Sequence, residues 1–130
     1  MTKIEHIQYW LDVAVHDLDT AESLFQSEKY DWCLFLGHLV LEKMLKALYV
    51  KTNTDNFPPK IHNLLRLAEL SSLTVTTEQQ EFFDDVNEFN LTARYSDYKE
   101  AFYKRCTRAY TEPYFIGIKE NYAWLTSLIT

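Results

Sequence analysis

Ile7, Leu11, Ala14, Leu18, Ala21 and Phe25 recur at alternating steps of four and three. That spacing predicts a helix of about six turns with one apolar stripe. The stretch SEKYD breaks it, and a second helix is expected to start near Asp31, a residue type suited to an N-cap. Trp32 to Leu36 form an unbroken apolar run, so the first half of this helix is expected to be the most buried part of the fold. His38, Glu42 and Lys46 then follow at i, i+4 and i+8 as a polar strip. With Glu42 four residues before Lys46, it reads as a surface ion pair, with His38 facing a partner protomer. Gly37 lies inside this helix, where glycine costs about 1 kcal/mol against alanine, so a close approach of another backbone or side chain is expected there.

The segment KTNTDNFPPK ends the pattern, because Pro58 and Pro59 cannot continue a helix. A short helix, HNLLRLAEL, points Leu64, Leu67 and Leu70 inward. Thr77 with Gln80 reads as a capping box for a fourth helix, whose apolar face is Phe82, Val86, Phe89 and Ala93. Beside that face runs a polar strip, Asn87, Asn90 and Arg94. A last helix is expected from Thr111, with Pro113 in its first turn and Tyr114, Ile118, Asn121, Leu125 and Leu128 on one side. The pattern describes one all-α domain over residues 1–130, an antiparallel up-and-down bundle of about five helices. Two glycines and three prolines in 130 residues agree with long helices and few turns.

Charge changes the picture in one place. The chain carries a formal −6, so nonspecific coating of nucleic acid by overall charge is excluded. Yet Arg94, Lys99, Lys104, Arg105 and Arg108 stand against only Asp97 and Glu100, a local +3 in an otherwise acidic chain. Tyr95, Tyr98, Phe102, Tyr103 and Tyr110 are interleaved with them. The stretch reads either as an ordinary surface helix end or as a local contact surface for phosphate and bases, where cations hold the one and rings stack on the other. Cys33 and Cys106 are too far apart in sequence for a zinc pattern and read as two free, buried thiols. His6 and His16 read as surface residues. No metal or cofactor is expected. The polar start MTKIEHIQYW is no signal peptide, so a cytoplasmic location is expected.

Several segments, in order, carry a family resemblance. They are YWLDVAVHDLDTAESLF, LGHLVLEKMLKALYV, PPKIHNLLRLAEL and EFNLTARYSDY, with Glu42-Lys43, Lys46-Ala47, His62, Asn90 and Arg94-Tyr95 at matching spacing. From about residue 8 to residue 126 the chain resembles a HEPN domain, a helical-bundle family linked to nucleotides and RNA. The resemblance implies a homodimer with its functional cleft between protomers. It also implies a minimal nucleotidyltransferase as partner, in some cases as a toxin–antitoxin pair whose partner modifies a tyrosine. Many members are metal-independent ribonucleases with an Arg-(4 to 6 residues)-His motif.

Arg94 matches the motif's arginine, but positions 99 to 101 hold Lys99, Glu100 and Ala101. A ribose hydroxyl needs a group to take its proton, and an imidazole is suited to that at neutral pH. The missing histidine weighs against catalysis, with Glu100 as the substitute base if cleavage occurs. Tyr98 and Tyr103 read singly as packing under the last helix, with base stacking or modification as the functional alternative, and His62 reads as a loop or cap residue holding the proline-rich connection. The expected site is therefore Asn90, Arg94, Tyr95, Tyr98, Lys99, Tyr103, Lys104, Arg105 and Arg108. A homodimer follows as well from the apolar, Gly-punctuated second helix. The leading reading is binding of a nucleotide, RNA or a nucleotidyltransferase partner. A ribonuclease toxin and a non-catalytic adaptor are the alternatives.

Overall fold

Two helix ends show how the chain turns with so little glycine. After the first helix, Lys29 N–H bonds the Leu24 carbonyl at 2.8 Å and Glu28 N–H bonds Phe25 at 3.1 Å. After the third, Leu73 bonds Ala68 at 2.9 Å and Ser72 bonds Glu69 at 3.0 Å. Both are Schellman closures, and each places a non-glycine residue, Glu28 or Ser72, in the left-handed region, with φ of 64° and 56°. These bonds come from a computed structural model, which describes the backbone of all 130 residues and the side chains of all but Ser96 and Asp97.

Six helices result: α1 Lys3–Gln26, α2 Tyr30–Thr52, α3 Leu64–Leu70, α4 Thr77–Arg94, α5 Ser96–Arg105 and α6 Arg108–Ile129. The chain is all-α, as the apolar periodicity predicts, with α5 as the element that periodicity does not announce. The four long helices alternate in direction. Lys3 at the start of α1 caps the end of α2, donating to the carbonyls of Val50 and Asn53 at 2.7 Å each. Lys51 at the end of α2 does the same for Leu128 and Ile129 at the end of α6. α4 runs against α6, as Tyr114 donates to Asp85 and Phe82 meets Gly117.

α2 is the central helix, touching α1, α3, α4, α5 and α6. That position overturns several expectations about it. Its N-cap is Lys29, not Asp31, and Asp31 is buried within the first turn. Burial is not concentrated in its first half: Cys33 and Leu34 are sealed there, but Met44, Leu45, Ala47 and Val50 are sealed in the second, and Trp32 stays 37% exposed. The polar strip is not solvated either, because His38, Glu42 and Lys46 are all buried inside one protomer. Their neighbours explain it: the loop before α3 lies over His38, and Lys46 sits 5.4 Å from the Trp10 ring of α1. With α2 covered by the chain's own helices, its apolarity no longer argues for a dimer.

Gly37 does mark a close approach. A Cβ there would lie 2.5 Å from the Ile118 side-chain tip of α6. The α4 capping box falls one residue earlier than expected, on Thr76 and Gln79. The fully buried aromatic of α4 is Phe83, with Phe82 half-buried against Gly117. α6 starts at Arg108, and Thr107 is its cap. Its buried stripe is Thr111, Phe115, Ile118, Leu125 and Ile129, while Leu128 is exposed. Cys33 and Cys106 are free and buried, and burial pushes both thiols up to about 12. Among the described residues, no helix is long and apolar enough to cross a membrane.

Candidate functional site

α4 and the loop before α3 are joined by amides. Asn63 caps α3 through Arg66 N–H, and its Oδ1 also accepts from Asn87 Nδ2 at 3.3 Å. Asn87 Oδ1 in turn accepts the Leu64 N–H at 2.9 Å. So Asn87, the first member of the α4 polar strip, fastens the start of α3 to α4. The next two members face a cavity of about 270 Å³ lined by His62, Asn63, Asn87, Glu88, Asn90 and Arg94, with Leu91 beside them. Asn90 is buried, and its carbonyl accepts from Arg94 Nε at 3.1 Å. The exposed Arg94 guanidinium also lies 5.7 Å from the Tyr95 ring.

A buried polar cluster stands behind this cavity. His62 Nδ1 lies 2.8 Å from Glu42 Oε1, and the His62 carbonyl accepts from His38 Nε2 at 2.8 Å. A carbonyl only accepts, so His38 carries its proton on Nε2. Glu42 Oε2 accepts from Lys46 at 3.1 Å and Lys43 at 3.2 Å. Burial alone would raise the Glu42 carboxyl. The His62 hydrogen bond and the Lys43 and Lys46 charges outweigh it and hold Glu42 below the usual glutamate range. Burial pushes the His38 imidazole down to about 4, against the partial pull of Glu42.

The remaining basic-aromatic residues do not gather around Arg94. Lys99 stacks 4.8 Å over the Trp32 ring, in a separate cavity with Asp31, Glu100 and Tyr103. Lys104 pairs with Glu100 at 3.1 Å on the surface. Glu100 thus lines a different cavity from Arg94. Arg105 lies by Phe102 and Tyr110, in a third cavity with Asp85 and Tyr114. There burial, reinforced by the bond to Asp85, pushes the Tyr114 hydroxyl up to about 12. Arg108 pairs with Glu112 at 3.2 Å and lies over Phe25 of α1. The causes are α5, a helix after Arg94 that distributes successive residues around its axis, and the break after it that puts Arg108 at the start of α6. Tyr95, Tyr98 and Tyr103 remain exposed.

The HEPN domain family model matches residues 7–113 of the 130. The chain belongs to the HEPN family. The match ends in the early turns of α6, short of the residue-126 limit the resemblance suggested. No match was found among curated proteins or among solved structures. In this HEPN domain, Glu42, Lys46, His62, Asn90 and Arg94, spread over the chain, come together at one cavity and the cluster behind it. Sequence reasoning placed His62 correctly as a residue holding the connection but missed that it also lines the cavity. The available signal was the ordered Glu42, His62, Arg94 spacing, which periodicity alone does not join.

Proposed function

We propose that this HEPN domain binds a phosphate-bearing ligand, a nucleotide or a stretch of RNA, in the Arg94 cavity. The observation that carries the reading is the grouping of an exposed guanidinium, an imidazole and three asparagines on one cavity of an acidic protein. A guanidinium takes phosphate through paired N–H donors, amides add orientation, and the exposed Tyr95 ring, 5.7 Å from the guanidinium, offers a stacking surface beside it. Lys99, Lys104, Arg105 and Arg108, on other faces, act at longer range by steering the anion.

Titration of single-stranded RNA against wild type and Arg94→Ala tests this. The expected loss is about 10- to 100-fold in affinity, since a hydrogen bond to a charged group contributes about 1.5–3 kcal/mol. Thermal stability should change by less than about 1 kcal/mol, because Arg94 is exposed at a helix end. Unchanged affinity would remove the site and favour an adaptor role.

The same proposal includes a homodimer and a minimal nucleotidyltransferase partner; the family resemblance suggests both, and the exposed Leu91, Tyr95, Tyr98 and Tyr103 around the end of α4 and α5 offer a contact surface. Light scattering at micromolar concentration is expected to report twice the 15.5 kDa chain mass. A monomer there would confine the site to one protomer. A ribonuclease reading has one observation in its favour, the His62 imidazole in the Arg94 cavity. Metal-free incubation with RNA separates it from binding, and no cleavage or very slow cleavage is expected.

A further inference from the structure

We infer that His62 contacts the ligand in this cavity and holds a phosphodiester in its protonated form, with Glu42 as the residue that positions it. The inference rests on the nucleotide-binding reading above and deepens it.

The first support is anchoring. The His62 backbone is held by His38 and its ring by Glu42. Glu42 is 1% exposed and is itself fixed by Lys43 and Lys46. The His62 side chain is nevertheless 54% exposed. A loop imidazole fixed at Nδ1, with Nε2 as its remaining ring nitrogen, is oriented for a ligand at little further ordering cost.

The second support is charge. Arg94 and Glu88 are the charged residues lining the cavity besides His62, and their formal charges cancel. With His62 neutral the lining carries no net charge, and its Nε2 presents a lone pair that repels a phosphate oxygen. With His62 protonated the lining is positive, and Nε2–H becomes a charge-assisted donor. The other groups facing His62 do not replace this switch. From α2 these are Glu42, Lys43 and Lys46, in which two ammonium groups share the one carboxylate for a net +1 behind the ring, and His38, which stays neutral. From α4 they are Glu88 and Arg94, and the α3 end brings Asn63, which has no charge.

The test uses a deoxydinucleoside monophosphate, which keeps one negative charge across the pH range and has no 2′-hydroxyl to react. Its binding is followed by NMR titration of the full chain. Affinity is expected to be about tenfold weaker at about pH 8 than at about pH 6. His62→Gln should bind equally at both pH values, with the wild-type affinity at the higher one. Nitrogen shifts of the wild-type ring should show the neutral form with its proton on Nδ1, donated to Glu42. In Glu42→Gln the Nδ1 preference should fade. Affinity that is flat with pH in wild type, or a neutral ring protonated on Nε2, overturns the inference. If Arg94→Ala still weakens binding while His62→Gln does not, the site stands and the role of His62 falls. If neither variant matters, the binding reading itself falls.

Discussion

Glu42→Ala is expected to lower the unfolding free energy by about 3–5 kcal/mol, the usual cost of leaving a buried charge without its partner. Glu42 is 1% exposed and takes bonds from Lys46, Lys43 and His62. Truncation leaves the Lys46 ammonium, itself 9% exposed, without its carboxylate and frees the His62 ring. Urea denaturation at neutral pH reads the effect. Lys46→Met in the same chain should restore part of the loss, because it removes the stranded charge. A loss below about 1 kcal/mol, comparable to an exposed ion pair, would mean that water reaches this cluster. The sign of the pH dependence follows from the depressed Glu42 carboxyl. Its contribution is present above the ordinary glutamate range and is lost as pH falls through its lower folded value.

His38 should act at higher pH than Glu42. Its imidazole is fully buried and is held down to about 4, against 6.5 in the unfolded chain. As pH falls below 6.5 the unfolded chain takes a proton that the folded chain refuses. Stability is therefore complete above that value and declines toward pH 4, by about 3 kcal/mol in total from this group. His38→Gln keeps a donor for the His62 carbonyl and removes the titration. Urea midpoints for the two proteins at pH 7 and pH 4.5 are expected to differ in slope, with the variant losing less on acidification. Equal slopes would show that His38 is hydrated or protonated in the folded state.

Both predictions concern residues that the sequence reads as lying on the protomer's surface, Glu42 in an ion pair and His38 toward a partner protomer. His38, Glu42 and Lys46 at i, i+4 and i+8 give the same pattern whether a helix face meets water or a buried ionic cluster. Spacing along one helix fixes which side chains share a face. What covers that face is set by distant segments, here Trp10 of α1 and the loop that carries His62. The basic stretch fails as a single patch for a related reason. Its charges are adjacent in sequence, but α5 sends Lys99 to Trp32 and Arg105 to Phe102, and Arg108 opens α6 over Phe25.

The sequence by itself determined the all-α class, the α1 stripe, the break at Pro58 and Pro59, the inward Leu64 and Leu67 of α3 (though not Leu70, which stays half-exposed) and the close approach at Gly37, because each depends on local periodicity or backbone stereochemistry. It also carried the HEPN membership, through ordered residues along the chain. Capping boundaries shifted by a residue or a turn, as at Thr76 and Thr107, since neighbouring threonines offer equivalent caps until packing selects one. Only the tertiary structure decided that Glu42 is buried, that it holds His62, and that His62 and Arg94 share a cavity although 32 positions separate them. Burial and long-range pairing are properties of the packed chain, set by which helices surround α2, and no local pattern encodes them.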